Sequence, residues 1–304
     1  MRAIWVSFFP GRPARAPAAS SVLYAGPGAN RHTLLEGFGG ADAAVFSRLP
    51  DASMAQVVLE LADSLAKRGT KIVVDCTDDH SEHASLGSLH RALLQAADSV
   101  VANSYGLAEA LRTQTLSRVS VIGDAVEGER GEPRGAARRP PRLLWFGQPQ
   151  NVDTVRAGLE PLRPALFALT IVSSPGSGAE NLGHRFVTWS ADAVAEELRE
   201  CDAVLLPAAA HDVRNVVRSA SRFQRALWAG RFVIANPVPA YAALGRFGWV
   251  GPDLAAGLAW LVENPDAAVE RIRAGQEWVA EHASPEANAR AWRAIVEKGS
   301  GPFF

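Results

Sequence analysis

The fold class is indicated most clearly by residues Cys201–Tyr241, which read CDAVLLPAAAHDVRNVVRSASRFQRALWAGRFVIANPVPAY. This stretch begins with a short apolar run that stops at Pro207, continues with a segment of helical periodicity, and ends with a second apolar run, Phe232–Ala235. A strand, a helix and a strand in this order are typical of a parallel sheet. The helix is expected over Val217–Ala229, with Gly230 as its C-cap.

The same alternation of apolar runs and helical segments extends from this stretch in both directions. Continuous β-branched runs, such as KIVVD at Lys71–Asp75, are typical of parallel strands that are buried on both faces. A segment rich in Gly, Pro and charge interrupts the series at residues 127–141, and its arginines are expected to be solvated. The sequence therefore predicts two similar α/β halves joined by a polar linker.

The composition excludes several classes of protein. Of 304 residues, 48% are hydrophobic and 21% are charged, and the formal net charge is −1. Such a balance gives no global attraction to nucleic acid, so a bound anion must be held by a local cluster. Cys76 and Cys201 are too few for a disulfide framework and indicate a cytoplasmic, reducing location. No apolar stretch is long enough for a transmembrane segment, and peripheral contact with the inner face of a membrane stays open.

Three arginines share one face of the predicted helix. Arg218, Arg222 and Arg225 fall at i, i+4 and i+7, and Ser219 lies at the same end as the free N–H groups of the first turn. A helix N-terminus flanked by arginines is suited to phosphate. A solvated cationic face is the alternative, but the helix follows a strand end, where the loop Gly147–Asn151 (GQPQN) also emerges. This position favours a binding site.

A second polar cluster, DCTDDHSEH, occupies Asp75–His83. Carboxylates and imidazoles are metal ligands in many proteins, but their spacing here matches no tight ligand set. Polar loops after strands are common, so the sequence predicts no metal.

The chain resembles a GT-B glycosyltransferase of the family-4-like, retaining type that uses nucleotide-sugars. The resemblance covers nearly the whole chain. Its motifs in the second half are LLWFGQPQN (Leu143–Asn151), CDAVLLPA (Cys201–Ala208), RSxSRxxxALWAGRFVIANPVPAY (Arg218–Tyr241), AGQEWV (Ala274–Val279) and SPEANARAW (Ser284–Trp292). Its motifs in the first half are VVDCTDDH (Val73–His80) and ADSVVANSYGLAEAL (Ala97–Leu111).

This resemblance implies two Rossmann-like domains that face each other across a cleft. Residues 1–126 would form the acceptor-binding domain, residues 127–141 the linker, and residues 142–284 the nucleotide-sugar-binding domain. Residues 285–304 are expected to form a helix that crosses back to the first domain. The implied reaction moves a sugar to a hydroxyl of a carbohydrate, glycolipid or small molecule, with no metal and no cofactor besides the nucleotide-sugar substrate.

The resemblance also implies roles for the arginine helix. Arg218 and Ser219 would hold phosphate or sugar hydroxyls, and Arg222 would support them. Arg225 stands where relatives carry a glutamate that binds the nucleotide ribose. Because arginine accepts no hydrogen bonds, the ribose is held differently, the donor carries extra negative charge, or activity is lost.

The remaining site residues come from loops. Gly147, Gln148 and Asn151 occupy the loop where relatives often place basic residues against the diphosphate. In the first half, His80 or Asp79 would hydrogen-bond the transferred sugar or the acceptor hydroxyl, with a carboxylate available as a base.

The loop after the first strand would border the ligands of such an enzyme. Gly11 and Arg12, together with Arg15, are expected to meet anionic groups there. A mobile surface loop is the alternative, because the segment is rich in Pro and Ala.

Two other functions fit the same pattern. One is a catalytically degenerate GT-B protein that binds a glycan or a protein partner, which the charge reversal at Arg225 would explain. The other is a sugar-nucleotide epimerase, which would convert its substrate without an acceptor. A degenerate protein would not bind the nucleotide, whereas a transferase would. An epimerase would convert the nucleotide-sugar in the absence of an acceptor, which a transferase would not do.

Overall fold

A computed structural model describes residues 2–7, 15–17, 20–24, 31–47, 52–136, 138–209 and 214–298. The chain divides into two compact units. Unit 1 comprises Met1–Ala125 and Pro285–Phe304, and unit 2 comprises Val126–Ser284. None of the described helices is apolar over a length that would cross a bilayer.

Unit 1 is an α/β layer structure around one sheet. Its strands are β1 (Ala3–Ser7), β2 (Ser21–Tyr24), β3 (Ala43–Ser47), β4 (Lys71–Cys76), β5 (Ser99–Ala102) and β6 (Arg118–Val121), and the helices among them are α1 (Arg31–Gly37), α2 (Ala55–Lys67), α3 (Gly87–Ala96) and α4 (Tyr105–Arg112). The strands form a six-stranded sheet in the order β2-β1-β3-β4-β5-β6, and all pairs are parallel. Every residue of β3 is buried, as expected inside a parallel sheet with both faces covered.

Unit 2 repeats this plan. Its strands are β7 (Arg142–Phe146), β8 (Ala168–Ser173), β9 (Arg185–Thr188), β10 (Ala203–Leu206), β11 (Phe232–Ala235) and β12 (Trp249–Val250), and its helices are α5 (Val152–Leu159), α6 (Ala191–Glu200), α7 (Arg214–Val217), α8 (Ser221–Trp228), α9 (Leu254–Glu263) and α10 (Pro265–His282). The sheet is parallel, six-stranded and ordered β12-β11-β10-β7-β8-β9. The prediction of two parallel α/β halves is confirmed.

The last helix, α11 (Pro285–Lys298), packs on unit 1. The ring centroid of Trp292 lies 4.6 Å from that of Trp5 in β1, in an edge-to-face arrangement. Asn288 donates from Nδ2 to the carbonyl of Gly123 at 2.8 Å, and Lys71 donates from Nζ to the carbonyl of Ile295 at 2.7 Å. Helix α11 therefore contributes to the core of unit 1.

The predicted helix Val217–Ala229 is wrong at its start. The structure has a short helix, α7, that ends at Val217, and a separate helix, α8, that begins at Ser221. Between them the Ser219 hydroxyl hydrogen-bonds to that of Ser221 at 3.0 Å. Serine side chains compete with the backbone for hydrogen bonds and so favour helix starts over helix interiors. Gly230 has a φ of +77°, the left-handed conformation of the expected C-cap.

The polar segment 127–141 falls within unit 2, and its arginines are not simply solvated as the sequence suggested. Arg134 donates from Nη2 to the carbonyls of Arg199 at 2.6 Å and Cys201 at 2.7 Å. These carbonyls lie at the C-terminal end of α6, where acceptors lack intrahelical partners. The guanidinium therefore caps α6 and holds the polar segment against the end of this helix.

Candidate active site

The strand order of unit 2 reverses between β7 and β10, which are paired neighbours. In open parallel sheets, the crevice beyond the carboxyl ends of the strands at such a reversal is the usual ligand site. β7 ends at Phe146 and β10 ends at Leu206. The loop Gly147–Asn151 and the segment that leads to α8 therefore both start at this crevice.

The N-terminus of α8 lies beside the end of β7. Arg222, the second residue of the helix, donates from Nη1 to the carbonyl of Phe146 at 3.3 Å. The N-cap residue is Ala220, which has no side chain that could cap the helix, and the preceding Ser219 Oγ accepts from the Ser221 N–H at 3.5 Å. Because the first N–H groups of a helix have no intrahelical acceptor, they are donors for an anion.

Arg222 is a partly buried cation at this helix end. Burial is the main cause that lowers its pKa; a hydrogen bond with Tyr241 opposes the shift, and repulsion by Arg218 adds to it. The guanidinium nevertheless stays charged at any physiological pH. Two neighbouring arginines beside a helix N-terminus are stabilised when an anion binds between them.

Gly147 makes room for the Arg222 side chain. A Cβ at this position would lie 3.2 Å from Arg222 Nη1 and 2.9 Å from the Trp145 ring. The N–H of Gly147 donates to the carbonyl of Val172 at 3.1 Å and so belongs to the sheet. The glycine is needed for space beside the arginine.

Gly147→Ala is therefore expected to crowd the buried Trp145 ring, which is the nearer neighbour, and to displace the Arg222 guanidinium. Crowding at a packed position typically costs about 1–3 kcal/mol, and we expect a loss of that size together with weaker binding of any anion at the α8 N-terminus. Thermal unfolding and anion titration measure the two effects. Gly123→Ala is the control, because a Cβ there would meet no atom within 4 Å. Equal behaviour of the two variants would contradict the steric explanation.

Arg225 is paired with a carboxylate that the sequence analysis did not select. Its Nη1 lies 3.2 Å from Glu127 Oε2, and its Cζ lies 5.8 Å from the centroid of the Phe146 ring. Gln148 is exposed and Asn151 is partly buried at the short turn before α5. The structure thus brings Arg222, Arg225 and Gly147 together around Phe146.

In unit 1, Asp79 and His80 follow the carboxyl end of β4. Asp79 accepts hydrogen bonds from the Ser81 N–H and from Gln114 Nε2, both at 3.0 Å. Burial alone would raise the pKa of Asp79, but these bonds and the nearby His90 bring the pKa below its ordinary value. The His80 ring meets the rings of His83 and His90 edge-on, with centroids 5.9 and 5.8 Å away. Within the described part of the chain, no three such ligand side chains converge as a metal site requires.

His90 gives this cluster a pH dependence. Its side chain is 2% exposed, and Nε2 lies 3.7 Å from Asp79 Oδ1. Burial lowers the pKa of His90 to about 4; Asp79 opposes this shift, and the charges of His80 and Arg91 increase it. Since the unfolded chain binds the proton more readily, the free energy of unfolding is expected to fall by up to about 3 kcal/mol as pH drops from about 6.5 to about 4.

Urea unfolding across this pH range measures the effect. In the variant His90→Gln, the free energy of unfolding should depend less on pH over this range, because the titrating ring is absent. His32→Gln is the matched control, since the His32 side chain is 86% exposed. A wild-type slope retained in His90→Gln would assign the acid sensitivity to another group.

The sequence suggested that Arg15 binds an anionic ligand, but its guanidinium is already paired with two carboxylates of the protein. Its Nε lies 2.8 Å from Asp75 Oδ1, and its Nη1 lies 2.8 Å from Asp124 Oδ1. The expectation that it meets an external anion is therefore wrong. Gly11 and Arg12, which the sequence assigns to the same loop, lie outside the described residues.

The fold of the chain is that of the GT-B glycosyltransferases. The structure of HepE of Anabaena in complex with UDP-glucose matches with a TM-score of 0.70 and 12% identity, over 97% of this chain and 99% of the other. An α-glucosyltransferase in complex with UDP matches with a TM-score of 0.67 and 10% identity, over 97% and 99%. The sucrose-phosphate synthase of Thermosynechococcus elongatus matches with a TM-score of 0.65 and 15% identity, over 96% and 87%.

These identities are low, and the likeness therefore establishes the fold alone. No protein-family model matches the sequence, and no curated protein matches it significantly. The GT-B fold predicted from the motifs is confirmed by the structural matches.

Proposed function

We propose that the chain is a glycosyltransferase that moves a sugar from a nucleoside diphosphate donor to an acceptor hydroxyl. The observation that carries this proposal is the N-terminus of α8, with Arg222 and Arg218 beside it, at the strand-order reversal of unit 2. Solved structures of the same fold contain UDP or UDP-glucose. UDP-sugars are therefore the first donors to test.

In this proposal, unit 2 stabilises the departing nucleoside diphosphate. Negative charge grows on the leaving oxygen as the glycosidic bond breaks, and fixed donors aimed at that oxygen lower the barrier. Arg222 is held in place by Phe146 and Tyr241, so little reorganisation is needed. The arginines and the helix end supply the positive charge, and the proposal needs no metal or further cofactor. It includes retention at the anomeric carbon, as in the type that the sequence resembles.

Unit 1 is proposed to bind the acceptor, a carbohydrate, a glycolipid or a small molecule, in the cytoplasm. His80 would hydrogen-bond a hydroxyl of the sugar or the acceptor. Asp79 is engaged by Ser81, Gln114 and His90, and its lowered pKa makes it a weak base. Its proposed role is to hold the histidine cluster in place.

Thermal unfolding with UDP, GDP, ADP, CMP, dTDP and their common sugar conjugates tests donor binding. A ligand at about 100 times its dissociation constant adds about 2.7 kcal/mol. Each kcal/mol raises the midpoint of a domain of this size by about 2–4 °C. Proton NMR of a reaction with the bound donor and candidate acceptors then shows the anomeric configuration of the product. Failure of every nucleotide to bind contradicts the proposal, and conversion of the donor without acceptor favours an epimerase.

A further inference from the structure

The ion pair between Arg225 and Glu127 places an accessible carboxylate next to the proposed phosphate site. The Glu127 side chain is 64% exposed, whereas that of Arg225 is 18% exposed. Arg225 lies over the ring of Phe146, and Arg222 donates to the carbonyl of the same residue. The carboxylate therefore lies near the end of β7, on the Arg225 side of the two arginines.

The backbone on both sides of Glu127 is fixed. The N–H of Val126 donates to the carbonyl of Ala283 at 2.7 Å. The carbonyl of Gly128 accepts from Trp228 Nε1, at the end of α8, at 3.0 Å. The backbone is held on both sides of Glu127, and its carboxylate is held by Arg225. Such a side chain loses little conformational entropy when a ligand binds.

The position of this carboxylate fits the order of groups in a nucleotide. The ribose follows the α-phosphate directly, and Arg225 follows Arg222 by three residues, a rise of about 4.5 Å along the helix. The ribose 2′- and 3′-hydroxyls are donors that need acceptors, which a guanidinium cannot supply and a carboxylate can. Acidic side chains hold ribose hydroxyls in this way in dinucleotide-binding folds.

We infer that Glu127, held in position by Arg225, accepts the hydrogen bonds of the donor's ribose hydroxyls. The inference rests on the proposed function, because it assumes that a nucleoside diphosphate binds at α8. Glu127 is then a binding residue, and Arg225 is a positioning residue that holds the carboxylate through the ion pair. The charge reversal at Arg225 is thus compensated from a segment far away in the sequence.

Isothermal titration with UDP and with 2′,3′-dideoxy-UDP tests the inference. Wild type should bind UDP at least about tenfold more tightly than the dideoxy compound, since hydrogen bonds to a charged group are lost in the latter. In Glu127→Ala this ratio should fall to near one. The matched control is Glu129→Ala, an exposed glutamate of the same segment, which should keep the wild-type ratio. If another base is preferred, its diphosphate and dideoxy analogue replace the uridine pair.

The charge exchange Glu127→Arg with Arg225→Glu provides a rescue. The exchange keeps the ion pair and supplies the carboxylate from position 225 on α8. The preference for UDP over the dideoxy compound should therefore recover in part. If wild type binds UDP and Glu127→Ala keeps the wild-type ratio of affinities for UDP and the dideoxy compound, the inference is overturned. The pair is then only a surface salt bridge, and the proposed function stays intact. Absence of binding by every nucleoside diphosphate overturns both.

Discussion

Arg222→Ala is expected to weaken UDP binding by about a hundredfold, or about 3 kcal/mol. The guanidinium is held by the Phe146 carbonyl and by Tyr241, and it is partly buried. Its charge therefore acts on a diphosphate with little screening. Isothermal titration with UDP measures the loss directly, and thermal unfolding without ligand shows whether the variant is folded.

Two further variants separate charge from geometry at this position. Arg222→Lys keeps the charge but loses the planar fork of donors, so an intermediate affinity is expected. Arg163→Ala makes the same charge change at an exposed position of unit 2 and should leave binding within about twofold, because exposed charges are largely screened. Unchanged affinity in Arg222→Ala would place the diphosphate elsewhere on the molecule.

Arg15→Met is expected to destabilise unit 1 by about 3–5 kcal/mol. The Asp75 side chain is completely buried, and Arg15 contacts it through Nε while donating from Nη2 to the Ile122 carbonyl at 2.7 Å. Without the guanidinium, the hydrogen bond that the carboxylate keeps within the described part of unit 1 is the one from the Ser47 hydroxyl, at 2.7 Å. An unpaired buried charge is among the most costly defects in a core. Urea unfolding followed by tryptophan fluorescence measures the change.

Arg112→Met is the control for this experiment. Arg112 pairs with Glu109 on α4, with side-chain exposures of 39% and 72%, and such pairs contribute less than about 1 kcal/mol. Adding Asp75→Asn to Arg15→Met should recover part of the lost stability, since the buried charge is removed. A loss below about 1 kcal/mol in Arg15→Met would mean that Asp75 is not charged in the fold.

The layered fold was predictable because a buried parallel strand has a simple signature. Runs such as Lys71–Asp75 and Cys201–Leu206 are apolar without alternation, and the helices between them have a clear period. The start of α8 was not predictable by that method. Periodicity continues across Arg218–Ala220, and only the hydroxyl contacts of Ser219, seen in three dimensions, show why the helix begins later.

The candidate site was predictable where its residues share one helix, and not where they come from distant segments. Arg222 and Arg225 follow from the spacing along α8. Gly147, which lies beside Arg222, follows from the loop at the end of β7. Glu127 lies in a charged segment where nothing distinguishes it from Glu129. Arg15 lies in a Pro- and Ala-rich loop, and its partners Asp75 and Asp124 are 60 and 109 residues away.

The place of α11 has a consequence for the order in which the chain can fold during synthesis. Trp292 and Ile295 share a buried cluster with Trp5 of β1 and Val73 of β4. A ribosome therefore releases the last part of this core only after all of unit 2 has been made. Unit 2 is continuous in sequence and can fold as it emerges, whereas a fragment ending at residue 125 lacks the helix that covers Trp5. A fragment that is to represent unit 1 needs residues 285–298 joined to it.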